Sequence, residues 1–260
     1  MIDTHCHLTF PEFEGRESAV LDDAEASGVT GVITVSTTAP DAERCLALAR
    51  RDPRIWCSAG VHPLYSDKGP HDWALLRSII RDPRCAAWGE LGLDNHYPDP
   101  PAPLQRAVLD EHLAAIAASR AEGVDKPVII HCREAYADLI PILRASGIPA
   151  ERFVFHCFTG TASEARAVLD FGALLSFTGV VTYRNAREVQ AAAALVPAGR
   201  IMVETDAPFL SPEPHRSVRP NEPRFARVTA EAVTALRGES FDAFHAHINA
   251  TTTRFFGIPT

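Results

Sequence analysis

The sequence predicts an α/β fold, a (β/α)8 barrel of the TIM type. Eight short apolar, β-branched runs follow one another along the chain, and each is succeeded by a longer amphipathic stretch. The length of 260 residues matches one such barrel, so residues 1–260 are expected to form a single domain. An open doubly wound sheet is the architectural alternative for the same β-then-α series.

The strands read from apolar runs too dense for one-sided burial, as in parallel sheets covered on both faces. Ile2–Leu8 leads into a helix over Glu17–Ser27, with Val20, Leu21 and Ala24 on one side. Gly31–Thr37 leads into Asp41–Arg51, closed by Asp52-Pro53, and Ile55–Val61 into His71–Arg81, closed by Asp82-Pro83. Ala86–Leu93 precedes the longest helical pattern, Leu104–Glu122, whose stripe of Val108, Leu109, Leu113, Ile116 and Ala117 ends at Gly123. Pro127–Cys132 is followed by Ala135–Ala145, where Pro141 is expected to kink the helix. Phe153–Phe158 leads into Ala162–Asp170, stopped by Gly172, and Ala173–Val181 into Ala186–Leu195, stopped by Pro197. Ile201–Thr205 is the eighth strand. An irregular, proline-rich stretch, Ala207–Pro223, separates it from helices at Phe225–Leu236 and Phe241–Phe255. In a barrel that stretch lies on the functional face.

Composition narrows the classes. The formal net charge of -8 disfavours non-specific adhesion to nucleic acid, so a polyanionic substrate must be attracted locally. Six cysteines without a CxxC pair do not resemble a secreted disulfide framework. Cys6, Cys132 and Cys157 each follow a histidine, and strand alternation turns each away from it, so they are expected to be small packing residues rather than metal thiolates. The opening MIDTHCHL has no basic leader or apolar h-region, and no apolar run is long enough to span a bilayer. A cytoplasmic location without membrane contact is the expectation. Oligomeric state is not legible, and a monomer suffices for the site described next.

Candidate chemistry sits at strand ends. His5 and His7 flank Cys6, and period-two alternation places both imidazoles on one face. Glu90 falls late in the fourth run, and His131, His156 and Asp206 end the fifth, sixth and eighth. In a barrel these ends converge on one mouth. Any one of them alone would serve as a hydrogen-bonded core residue or a helix cap; six at matching positions point to a metal cavity. Six side chains exceed the three protein ligands usual for a single catalytic zinc, so two divalent ions, zinc, magnesium or manganese, are expected. Two carboxylates and a hydroxide would offset three of their four positive charges and leave a site attractive to an anion.

Together the segments Ile2-Asp3-Thr4-His5-Cys6-His7-Leu8, Gly60-Val61-His62-Pro63, Gly89-Glu90-Leu91-Gly92-Leu93-Asp94, Pro127 to Arg133, His156-Cys157-Phe158-Thr159-Gly160, Glu204-Thr205-Asp206-Ala207-Pro208 and Arg219-Pro220-Asn221-Glu222-Pro223 resemble the TatD family of metal-dependent deoxyribonucleases, within the amidohydrolase-like barrels. The resemblance spans nearly the whole chain. It implies metal ligation by His5, His7, Glu90, His131, His156 and Asp206, with Glu90 bridging, and hydrolysis of DNA phosphodiesters on single strands or duplex ends. The chain departs from many relatives in following the GxxGLD segment with Asn95-His96-Tyr97 rather than an immediate aromatic, and in the proline-rich Pro98–Pro103.

Asp206 either ligates an ion or accepts a proton from water, and Glu204, two residues earlier on the same side, either holds a third ion or orients a ligand. His62 is the candidate phosphate contact or leaving-group acid, with loop stabilisation as its alternative. Arg133 is a candidate phosphate clamp, or a structural partner of Glu134 or Asp94. Arg216 and Arg219, with Arg224 and Arg227, are expected to give the acidic chain a basic loop for a nucleic-acid strand, the alternative being a solvated face. A small-molecule metallohydrolase acting on a lactone, amide or phosphoester is the competing function, because fold and ligands do not fix the substrate.

Overall fold

The computed structural model of the chain describes residues 1–259. Eight parallel strands are paired in strict chain order: β1 (Ile2–Cys6), β2 (Gly31–Thr34), β3 (Ile55–Ala59), β4 (Cys85–Asp94), β5 (Val128–Arg133), β6 (Phe153–Phe155), β7 (Leu174–Phe177) and β8 (Ile201–Val203). The ring closes at its C-terminal edge, where Cys6 and Ala207 form a parallel bridge. There His7 N–H donates to Ala207 O at 2.8 Å and Asp206 N–H to His5 O at 2.9 Å. Barrel closure and the pairing of the first and last candidate ligands are thus one event.

The helices α1 (Glu17–Ala26), α2 (Ala39–Arg51), α3 (Trp73–Ile79), α4 (Ala102–Ala121), α5 (Tyr136–Ala145), α6 (Ala162–Phe171), α7 (Arg187–Leu195) and α8 (Ala226–Arg237) wrap the barrel, and α9 (Phe241–Phe256) follows. Local chemistry sets their ends. Thr161 and Glu164 form a reciprocal capping box at the start of α6, and Gly172 ends that helix at φ 112°. Pro141 lies inside α5, which continues through it.

Two apolar clusters result. The larger lies between the strands' outer faces and the helices and includes Cys6, Cys45, Trp88 and Phe155. The smaller fills the barrel with at least one residue from every strand, among them Ile2, Ile33, Trp56, Ile129, Val154, Leu174 and Met202. Phe255, Phe256 and Ile258 complete it from the end of α9 and the residues after it. The barrel is thereby a packed core with polar residues only at its upper layers. Among the described residues no helix is long and apolar enough to cross a membrane.

Several strands stop short of the apolar runs that predict them. Phe153–Phe158 pairs only through Phe155, and Ala173–Val181 only through Phe177. Just past these strands the chain turns while still bonded to its neighbours: Cys157 takes φ 45° and Asp206 φ 55°. Residues outside glycine adopt these values at a cost of about 1–3 kcal/mol each, typically where a site demands it.

Candidate metal centre

All six predicted ligands converge on a cavity of about 920 Å³ at the barrel mouth, with His5 buried just beneath it. Glu90 is central. Its Oε1 lies 3.5 Å from His5 Nε2 and 3.6 Å from His7 Nε2, and Asp206 Oδ1 sits 3.6 and 3.5 Å from the same two nitrogens. Its Oε2 lies 2.8 Å from His156 Nε2 and 3.5 Å from His131 Nδ1. One carboxylate therefore faces two groups of donors with different oxygens. Three sets of donors close enough to share a cation are His5, His7 and Asp206; His5, His156 and Glu204; and His62, Glu90 and His131.

The backbone that delivers Glu90 is irregular. The β4–β5 register shifts between Trp88 and Leu91 and then pairs Gly92 with His131. Gly92 has φ 151°, and a Cβ there would stand 1.9 Å from His131 O. Only glycine lets the two strands approach this closely.

Hydrogen bonds fix the imidazole tautomers. His7 Nδ1–H donates to Val35 O at 2.9 Å, and His131 Nε2–H donates to Asp94 Oδ2 at 2.9 Å. Each leaves the opposite ring nitrogen, a bare lone pair, facing the cavity. His62 differs. Its Nδ1 accepts from Leu64 N–H at 3.0 Å, so Nε2 carries the proton and donates to His131 Nδ1 at 3.1 Å. His5 is wholly buried, and neither of its ring nitrogens has a hydrogen-bond partner. Buried polar atoms without partners are costly, and a cation among them is the group that fits this donor set.

The electrostatics agree with that fit. Burial pushes the Glu90 carboxyl up, but the surrounding histidine charges outweigh it and hold the carboxyl well below its usual range. Asp206 is lowered in the same way, burial being overcome by His7 and by the charges on His5 and His156. His156 is raised well above its usual value because the Glu90 and Glu204 carboxylates exceed its desolvation. Burial dominates at His62 and lowers it to about 3. The carboxylates are thus held ionised, as metal binding requires, and a raised imidazole such as His156 must release its proton when an ion takes its place.

Glu204 is buried beside this group. Its Oε1 accepts from Cys157 N–H at 2.5 Å, its Oε2 accepts from Ser176 Oγ at 2.6 Å and Thr4 Oγ1 at 3.2 Å, and His156 Nδ1 stands 3.5 Å away. Arg133 lines the cavity but pairs with neither alternative partner. Asp94 is taken by His131, Glu134 by His96, and the Arg133 guanidinium lies 5.1 Å from the centre of the Tyr97 ring. Arg216 and Arg219 are exposed and lie outside the cavity wall, with Arg216 packed on Tyr183. Arg224 pairs with Glu222 and Asp23, and Arg227 with Glu231. The four arginines therefore do not make one basic strip. Cys6 packs outward beneath α2 as alternation predicts, whereas Cys132 and Cys157 also border the cavity. A shallower groove of about 660 Å³ near Val181, Glu213 and Leu236 contains none of the ligand candidates.

Sequence reasoning missed three groups. Asp94 ends β4 as the other candidates end theirs, but its service to His131 depends on a contact across strands. Asp3, two residues before His5, is wholly buried and accepts from Thr205 N–H at 2.9 Å and Thr205 Oγ1 at 2.5 Å, clamping β1 to the segment after β8. Phe10, Tyr97 and Phe209 ring the mouth with no periodic signal to mark them.

A parallel (β/α)8 barrel with histidines and carboxylates gathered at its C-terminal mouth defines a metal-dependent hydrolase of the amidohydrolase-like kind. The match of residues 2–257 to the family described as TatD related DNase narrows that class. The chain belongs to the TatD family of metal-dependent hydrolases. It is 34% identical over 261 residues to the metal-dependent hydrolase YcfH of Escherichia coli, covering 99% of this chain and 96% of that protein. It is 33% identical to a protein of Erwinia tasmaniensis named 3'-5' ssDNA/RNA exonuclease TatD, covering 99% and 100%. Among solved structures, the TatD homolog YjjV of Escherichia coli superposes with a TM-score of 0.91 at 31% identity, covering 100% of this chain and 98% of that one.

Proposed function

We propose that this protein is a deoxyribonuclease that hydrolyses phosphodiester bonds at the ends of DNA, in single strands or frayed duplexes, with two divalent ions, zinc, magnesium or manganese. The observation that carries the reading is Glu90, whose two oxygens face separate donor groups. His5, His7 and Asp206 would hold one ion, His131 and His156 the other, with Glu90 shared. Bound divalent ions supply Lewis acidity for a phosphoryl oxygen and bring the pKa of water near 7.

The remaining work falls to side chains. Asp206, held ionised at the edge of the cluster, would accept the proton of the attacking water. His62 carries its proton on Nε2 and donates it in a hydrogen bond to His131 Nδ1; once an ion takes that lone pair, the Nε2–H would be free to donate a hydrogen bond to the phosphate, and a ring kept neutral by burial does not serve as the acid for the departing oxygen. Arg133 supplies the local positive charge that an acidic protein needs for a polyanion. Arg216 and Arg219 are left to contact nucleotides further along the strand. Glu204 already accepts three hydrogen bonds, which favours orienting His156 over holding a third ion. The six free cysteines suit a reducing cytoplasm, and the reading needs only a monomer.

The test is hydrolysis of end-labelled single-stranded and blunt duplex DNA by protein stripped with a chelator and then resupplied with Mg²⁺, Mn²⁺ or Zn²⁺. Shortening that depends on the restored ion is expected. His156→Ala should abolish it with the circular dichroism spectrum unchanged. No cleavage with any of the three ions, or full activity in His156→Ala, would defeat the proposal.

A further inference from the structure

Two large apolar side chains on the cavity wall remain exposed, Tyr97 at 45% and Phe209 at 46%. Of the four large apolar side chains exposed among the described residues, these two are the ones that line this cavity. Neither hangs on a loose loop. Phe209 N–H donates to Asp206 O at 2.9 Å, and Phe209 O accepts from the buried Asn221 Nδ2 at 2.5 Å. Its ring meets Phe10 edge-on at 6.0 Å, and Phe10 in turn stacks on His7 at 4.7 Å. Tyr97 N–H and His96 N–H donate to Asp94 Oδ1 at 3.3 and 3.0 Å. Gln105, buried in α4, accepts from Asp94 N–H at 2.8 Å and donates to Asp94 O at 2.9 Å and Pro100 O at 2.8 Å, fixing the proline-rich stretch beside Tyr97.

The two rings also sit at related places in the fold. Tyr97 follows β4 and Phe209 follows β8. In a ring of eight strands in chain order, β4 and β8 are four steps apart, diametrically across the mouth. Each ring's backbone hangs from a strand-end aspartate, and Glu90 with its donor groups lies between them. A phosphodiester has one nucleoside on each side of its phosphorus. A phosphate held at the centre would have an aromatic ring available to the nucleoside on either side.

We propose that Phe209 and Tyr97 are paired base-stacking platforms flanking the scissile phosphate, so that the substrate is a single strand splayed across the mouth with one base on each ring. The inference rests on the hydrolase reading above and adds the substrate's conformation and its recognition residues. Aromatic faces accept any base, so the specificity is for unpaired nucleotides rather than sequence. Arg133, under Tyr97, joins a ring and a phosphate contact on one side.

The test uses the metal-loaded protein and a dinucleotide carrying 2-aminopurine on one side and thymine on the other, its cleavable ester oxygen replaced by methylene. Binding should quench 2-aminopurine fluorescence in both orders. Phe209→Ala should abolish the quench in one order and Tyr97→Ala in the other, whereas Phe209→Trp and Tyr97→Phe retain it. On cleavable single strands each alanine variant should raise KM by about 5- to 150-fold, the range for one lost stacked base, with kcat little changed. An abasic site facing the altered platform should erase that difference. Unchanged quench and KM in both alanine variants, or equal loss in both orders, would overturn the platforms while leaving single-strand hydrolysis intact. Absence of cleavage by the unaltered protein would instead bring down the hydrolase reading itself.

Discussion

Asp94 shows how much one side chain can coordinate. Its Oδ2 accepts the His131 Nε2–H, its Oδ1 accepts two backbone N–H groups, and it is held below the usual carboxylate range because these bonds and the His131 charge exceed its desolvation. The carboxylate thus dictates which nitrogen of His131 faces the cavity. Asp94→Asn offers an amide that competes for the same ring, and metal affinity should fall by about 10- to 100-fold. Competition with a chromogenic chelator measures this, and unaltered affinity would refute the assignment. The histidines were legible in the sequence because their chemistry and their strand-end positions coincide. Asp94 has the same position, but its partner is 37 residues away, and only the β4–β5 register reveals it. The aromatic platforms were illegible for another reason: a single Phe or Tyr in a loop is indistinguishable from a stray surface residue until the ring of strands gives it a bearing.

At the level of elements, β4 and β5 carry the tightest requirement. Gly92 faces His131 across the pair with no room for a methyl group. Gly92→Ala should cost more than about 2 kcal/mol in urea unfolding and reduce bound metal per chain, since relief comes only by separating the strand that bears Glu90 from the one that bears His131. Stability and metal content both at the unaltered level would contradict this. All eight strands and nine helices were readable from apolar periodicity because each buries a face. Strand lengths were overestimated where Phe158 and Val181 remain buried after the ladder has ended, since burial and pairing leave the same apolar signature. The arginines of the last loop read as free charge, but Glu222, Asp23 and Glu231 neutralise two of them through contacts that spacing reveals only for the i,i+4 pair Arg227–Glu231.

For the molecule as a whole, acid sensitivity is built into the core. His112, wholly buried, donates Nδ1–H to Val108 O at 3.1 Å and accepts Val61 N–H on Nε2 at 3.0 Å, and burial lowers it to about 3. The folded state excludes a proton that the unfolded chain takes up near pH 6.5. The stabilising contribution is therefore complete above that value and is lost as pH falls toward 3. In chelator-containing buffer the unaltered protein should lose about 2 kcal/mol more than His112→Gln between pH 7 and pH 5. Denaturant titrations at both pH values check this, and equal losses would count against it. The seam where β8 meets β1 has a consequence in time. Ribosomes deliver His5 and His7 first, yet their counterpart Asp206 and the Ala207 carbonyl that receives His7 N–H arrive only after most of the barrel has been made. A nascent chain shorter than that carries an incomplete set of donors and an unsealed wall, so the donor set is assembled only with the finished ring.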